Sequence, residues 1–341
     1  MYLIFGSELD PCCVQVHSIL SARGHSVRWI EGIFSEPHRF VWKFAGGGPR
    51  GAGRSRIGMA GEWEADSAEI EGVLMRDTVW SVPGDWSEKD AQYMSAEMQA
   101  ALLGWLWSLP GLVVNRPPAW LFYRPRPPFL YWTPHLHRAG LRTLGTVISN
   151  DIKQLKDWQA QHADGALFSP LASQGHFQLK TGAEWEGVLR VAGHAPVVLE
   201  QAHGPAQLAC VVGERVVWDR AGTRPQALEA RLLDFAKSAG LDFLQIALAE
   251  TPDANREGSA GLAVVGVEAL VEFPRFSQPS QKAVAEALAN WWTGLGSGVG
   301  SRALTPECAA VDGGVGDDSG LRRVGRRGDR TGVCAAGSVR L

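Results

Sequence analysis

The chain has 341 residues, a formal net charge of −3, 45% hydrophobic residues and 20% charged residues. These proportions describe a globular protein of about two domains. They exclude a disordered chain, a coiled coil, a collagen-like repeat and a disulfide miniprotein, and the near-neutral charge gives no field that would draw nucleic acid or a membrane as a partner.

The N-terminus reaches Gly6, Glu8 and Asp10 without a basic stretch followed by an apolar one, so no secretory signal is expected. No run of 18 apolar residues occurs, and a reducing, cytoplasmic setting is expected. Cys12, Cys13, Cys210, Cys308 and Cys334 form no C-x-x-C pair, so neither a zinc ribbon nor a thioredoxin-type site is available. Adjacent Cys12 and Cys13 open a predicted helix, either as reactive thiols favoured by the helix N-terminus or as small core residues.

Residues 1–5 predict a short buried strand. Residues 11–23 predict a helix carrying Val14, Val16, Ile19 and Leu20, closed by Gly24. His25 to Ile30 predicts a second strand, and this order implies a parallel α/β unit. Residues 45–61 contain seven Gly and three Arg but no G-K-[ST], which predicts an exposed mobile loop rather than a phosphate cradle. Strand-like residues follow at 69–82. A helix is predicted over 87–108, with Met98, Leu102 and Trp105 on its apolar stripe, and a short strand runs over 112–115. The prolines between Pro117 and Pro128 break regular structure, and a domain boundary is placed at 125.

Beyond it, helices are predicted over 130–139 (despite Pro134), 151–161, 226–238 and 279–293. Extended segments are expected at 145–149, 166–170, 177–180, 197–200 and 243–249, with one or two strands within 262–273. Gly213-Glu214 predicts a hairpin turn between 209–212 and 216–218. Residues 294–341 contain 12 Gly, seven Arg and no aromatic residue, which predicts a disordered tail over 297–341.

The order of these landmarks resembles that of the ATP-grasp ligases, most closely the RimK-like branch. Phe5-Gly6-Ser7, the helix after it and Gly24-His25 resemble the opening domain of that family. Val114-Asn115-Arg116-Pro117 resembles its "vNrP" stretch. Ala139-Gly140-Leu141, Thr146 and Ser149-Asn150-Asp151 resemble its "aGl…T…tnD" segment. Phe168-Ser169-Pro170-Leu171 stands at the "vvKPl" strand, and Leu199-Glu200-Gln201 at the adenine-contacting strand and hinge. Leu241 to Leu248 and Val271-Glu272-Phe273-Pro274 resemble the two metal-ligand strands. Over about residues 1–295, the resemblance implies a mixed α/β and α+β protein. A pre-ATP-grasp-like α/β domain at 1–125 would precede a two-lobed ATP-grasp-like domain at 126–296, with the tail at 297–341. It also implies ATP between the lobes, an acyl-phosphate made from a carboxylate, and attack on it by an amine. Lysines would neutralise the phosphates, an Arg would steady the developing charge, and carboxylates with an Asn would hold Mg²⁺.

At the matching positions most of those groups are replaced. Phe129 and Ser169 stand where two phosphate-binding lysines are expected, Ala209 for the Arg, Ala247 for the first metal-binding Asp and Pro274 for the Asn. Lys180, Glu200 and Gln201 remain as nucleotide-binding positions, and Glu272 as a metal ligand. Losing one such group costs orders of magnitude in rate. Two readings follow. The first is a catalytically degenerate ATP-grasp-like protein, without a cofactor, that binds a peptide or a protein partner such as a paralogous ligase. The second is a divergent carboxylate–amine ligase that uses ATP and Mg²⁺. A generic α/β binding module is a third, unrelated reading.

Other motifs add little. His135 and His137 fall on a predicted helix, where i and i+2 diverge, which disfavours a metal pair. The aromatic and basic segment from Trp120 to Trp132 is either a stacking surface or a linker whose aromatics fill an interface. Trp105, Trp107, Trp291 and Trp292 are expected in the core or at a protein–protein surface.

Overall fold

In the computed structural model, which describes residues 1–31, 38–43, 54–59, 63–76, 84–118, 121–122, 127–162, 165–171, 176–220, 226–250 and 261–296, the chain opens on β1 (Tyr2–Phe5), all four residues of which are buried. Helix α1 (Pro11–Ala22) starts where Asp10 accepts from the Cys12 N–H at 2.8 Å, and Pro11 occupies its first turn, where no intrahelical donor is needed. The parallel sheet has the order β2 (Val27–Ile30), β1, β6 (Gly72–Met75), β7 (Leu112–Val114). Tyr2, Ile4, Leu74 and Val114 face one core, with α1 and α7 (Gln278–Gly296). Leu3, Phe5, Val73 and Val113 face the other, with Leu102, Trp105 and Leu106 of α2 (Glu88–Ser108). Burial on both faces explains why these strands read as continuous apolar runs.

The mobile loop expected at 45–61 is corrected in part. Residues 54–59 form β4 (Arg54–Met59), between β3 (His38–Lys43) and β5 (Trp63–Asp66) in an antiparallel sheet. Ser55 and Ile57 alternate inward and Arg56 outward. The buried Trp105 indole donates to Ser55 Oγ at 2.8 Å. The rest of the segment lies outside the described residues. Cys12, Cys13 and Cys210 are buried, and loss of water pushes their thiols up, Cys12 to about 12. Burial outweighs the helix N-terminus, so Cys12 and Cys13 are core residues rather than reactive thiols.

Two antiparallel sheets follow. One has the order β10 (Phe177–Leu179), β9 (Ala166–Ser169), β11 (Val197–Gln201), β8 (Thr146–Ser149), with α4 (Ile152–Gln161) and α5 (Gly182–Ala192) against it. The other has the order β13 (Arg215–Trp218), β12 (Gln207–Val212), β14 (Phe243–Glu250), β15 (Leu262–Glu268). One face of it packs Trp132 and Leu136 of α3 (Phe129–Arg138) and Leu232 and Phe235 of α6 (Gln226–Ala239). The other face packs Val284, Leu288 and Trp292 of α7. The predicted hairpin is present, with Gly213 at φ +55° in its turn. Trp132 fills core against Phe235, as the linker reading expected of an aromatic there; Trp120 and Arg124 lie outside the described residues.

The expected tail at 297–341 lies outside the described residues. The core is continuous across position 125, since Tyr2 and Leu74 share a cluster with Cys210, Val265 and Trp292. Asn115 makes the joint across that position. Asn115 Oδ1 accepts from the backbone N–H of Asp242 at 2.9 Å and of Phe243 at 2.7 Å, and its Nδ2 donates to the carbonyls of Phe243 and Ala269. Arg116 donates to the carbonyls of Leu106, Trp107, Leu109 and Gly111, closing the C-terminus of α2. Asn115→Ala is expected to lose about 2 kcal/mol, because backbone groups at the start of β14 lose their partners; equilibrium urea unfolding measures it. Among the described residues no helix is long and apolar enough to cross a membrane.

Candidate functional site

Strand periodicity builds the site. On β11, Val197 and Leu199 point into the core under α4 and α5, so Val198 and Glu200 take the opposite face. Ser169 lies directly across from Val198 on β9, and Leu167 across from Glu200. This face meets Val265, Gly266, Val267 and Glu268 of β15 and the start of α3, with Phe129 and Leu130, around a cleft of about 60 Å³.

Glu200 is 3% exposed. Its Oε2 accepts from Ser169 Oγ at 3.0 Å and lies 3.0 Å from His176 Nδ1, which is itself 2.9 Å from Ser169 Oγ. The single hydroxyl proton goes to Glu200, so the approach of Nδ1 to two acceptor oxygens requires an N–H there. Both contacts of the His176 ring are made by the same nitrogen, Nδ1. A Ser–His–acid relay needs the hydroxyl and the acid on opposite nitrogens, so this triangle anchors a buried carboxylate and does not activate a serine nucleophile.

The structure separates the residues expected to form the site. Glu200 lies in the cleft. Lys180 is exposed at the entry to α5; its backbone N–H donates to Glu184, part of the cap that starts that helix. Gln201 is half-buried, with its backbone N–H on the Gly145 carbonyl, and does not line the cleft. Glu272 is also outside the lining and pairs with Arg275 at 2.9 Å. Of the replaced positions, Phe129 and Ser169 do line the cleft, Ala209 is core and Pro274 sits in a short 3₁₀ turn. His176 and Glu268 are cleft residues that sequence reasoning missed. The usable signal was a carboxylate ending each of two apolar strands, Val197–Leu199 and Leu262–Val267.

Among the described residues, the donor set lacks the cations that the phosphates of Mg-ATP need. The described lining carries two carboxylates, Glu200 and Glu268, and no Lys or Arg to meet a triphosphate. Among the described residues no group of three or more His, Cys, Asp and Glu could hold a metal ion; His135 and His137 belong to no such group. A nucleotide site also needs several hundred cubic ångströms, well above this cleft.

No protein-family profile and no curated protein matches the sequence. Solved structures do match the fold. The macrocyclase MdnC bound with precursor peptide MdnA, from Microcystis aeruginosa, superposes with a TM-score of 0.69 at 17% identity, over 86% of this chain and 100% of that one. A RiPP-associated ATP-grasp ligase of Chryseobacterium gregarium, in complex with ADP and a leader and core peptide, gives 0.68 at 13% identity, over 86% and 96%. A RimK domain ATP-grasp protein of Sphaerobacter thermophilus gives 0.51 at 17% identity, over 86% and 100%. The chain has the two-lobed ATP-grasp fold.

Proposed function

We propose, with the ATP-grasp fold as premise, that this chain is a catalytically degenerate relative of peptide-modifying ligases that acts in the cytoplasm as a peptide-binding or accessory subunit. The carrying observation is the cleft: Phe129 and Ser169 stand where cations are expected, and the described lining holds no Lys or Arg. Two of the similar folds were solved with peptides bound, which supports a peptide as the partner. In place of phosphoryl transfer, the residues can bind: Ser169 and His176 orient Glu200, and the apolar walls exclude water. The test is ADP release from Mg-ATP in the presence of a peptide bearing both a carboxylate and an amine. Release indistinguishable from a protein-free blank is expected; sustained turnover dependent on the peptide would overturn the reading in favour of a divergent active ligase.

A further inference from the structure

We propose that the turn after α3, where Arg138, Arg142 and Arg231 lie around Gly140, is a docking surface for an acidic peptide segment, one with several Asp or Glu side chains close together. The proposal deepens the reading above by naming the chemistry of the partner, and it rests on that reading in taking a peptide as the partner.

From Met98 to Asn150 the sequence contains five Arg and no Asp, Glu or Lys. With −3 in total and +5 in this stretch, the other residues carry −8. Helix α3 ends where the Ala139 N–H donates to the His135 carbonyl at 3.1 Å and the Leu141 N–H to the Leu136 carbonyl at 2.9 Å, with Gly140 at φ +70° as the left-handed residue between them. The turn is held from below. Leu136, Leu141 and, on α6, Leu232 are buried in one cluster, and the Arg142 carbonyl accepts from the Val264 N–H of β15 at 2.8 Å. Arg138 and Arg142 leave the turn on either side of Gly140, and Arg231, next to Leu232, donates from Nη1 to the Gly140 carbonyl at 3.2 Å. All three are exposed, and none of them forms an ion pair among the described residues, although Asp234 lies one turn along α6 from Arg231.

A single exposed ion pair contributes little, so a lone carboxylate is held weakly, whereas several carboxylates on one segment act together. A peptide fits better than a nucleic acid. Residues 138–144 hold no aromatic ring on which a base could stack, and the −8 elsewhere repels a long polyanion. Four residues beyond Arg142, β8 begins. It is the edge strand of its sheet, with Ile148 47% exposed, so an extended backbone can continue from the arginines along it.

The full chain is titrated into a labelled peptide that carries a run of Glu followed by a Val-Thr stretch, and into its twin with Gln for Glu, with binding read by fluorescence anisotropy. At about 50 mM salt the Glu peptide is expected to bind saturably, at least about tenfold tighter than its twin, and to weaken at about 200 mM salt. Arg138→Gln, Arg142→Gln and Arg231→Gln together are expected to weaken it at least about tenfold. Lys153→Gln, Lys156→Gln and Arg190→Gln remove the same charge from exposed positions elsewhere and are expected to change it less than about twofold. Arg142→Glu alone reverses one charge and is expected to weaken binding at least about threefold; it decides the matter should the first triple not fold. No saturable binding of the Glu peptide overturns the proposal, as does equal binding of the two peptides or an equal loss in both triples. An oligonucleotide of the same charge that binds as tightly overturns the assignment of a peptide. ADP release from Mg-ATP, followed in the same samples, separates the two failures. Turnover there overturns the degenerate-ligase reading, whereas equal binding of both peptides without turnover overturns only the basic surface.

Discussion

Trp292→Ala is expected to lose about 3–5 kcal/mol of stability. The indole is 1% exposed and meets Tyr2 edge-on, with ring centroids 5.0 Å apart. It lies so close to β6 that a Cβ on Gly72 would fall 1.9 Å from Nε1, which is why position 72 is glycine. Alanine at 292 leaves a hole that a glycine strand cannot fill, in the core that α7 shares with β1 of the first sheet and β12 of the last. Trp292→Phe is the control. It keeps a ring and drops an N–H that has no acceptor among the described residues, so it is expected to lose far less. The readout is the urea midpoint at constant slope; a loss under about 1 kcal/mol for alanine would mean that α7 is peripheral to the core.

Arg76→Met is expected to cost a similar amount, about 3–5 kcal/mol, for a different reason. The Arg76 side chain is 7% exposed. Its Nε donates to Asp10 at 2.8 Å, and its Nη2 donates to the Val271 carbonyl at 2.8 Å. Asp10 also caps α1, so one guanidinium joins the first helix, the end of β6 and the turn after β15. Methionine keeps much of the volume and removes the charge, leaving Asp10 and the Val271 carbonyl without it. Asp10→Asn in the Arg76→Met background should restore part of the loss, because it removes the stranded charge. A double-mutant cycle on urea midpoints reads the coupling, and additive losses would contradict the account.

Much of the fold was legible because local patterns agree with it. The helices at 87–108, 151–161, 226–238 and 279–293 and the hairpin at Gly213 appear within a few residues of expectation. Strand β4 was not legible, because seven glycines concealed a short in–out alternation whose inward serine matters only through the distant Trp105. Asn115 and Arg116 were read through a family motif, yet in this chain they tie backbone carbonyls and amides, a role visible only in three dimensions. The cleft was partly legible. Glu200 could be placed from the strand before it, whereas His176 enters the cleft from the start of β10. Position 272 was favoured as a metal ligand, but β15 ends at Glu268, and the chain then turns so that Glu272 meets Arg275. The uncharged residues Phe129 and Ser169 were readable; the presence of Glu200 and Glu268 in one cleft was not, since they belong to separate sheets.

The most direct test of the central claim is calorimetric titration of the full chain with Mg-ATP. The account predicts no saturable heat, because Phe129 and Ser169 stand where phosphate-binding cations are expected and the described lining of the cleft carries no lysine or arginine to neutralise a triphosphate. Stoichiometric binding of Mg-ATP would contradict it.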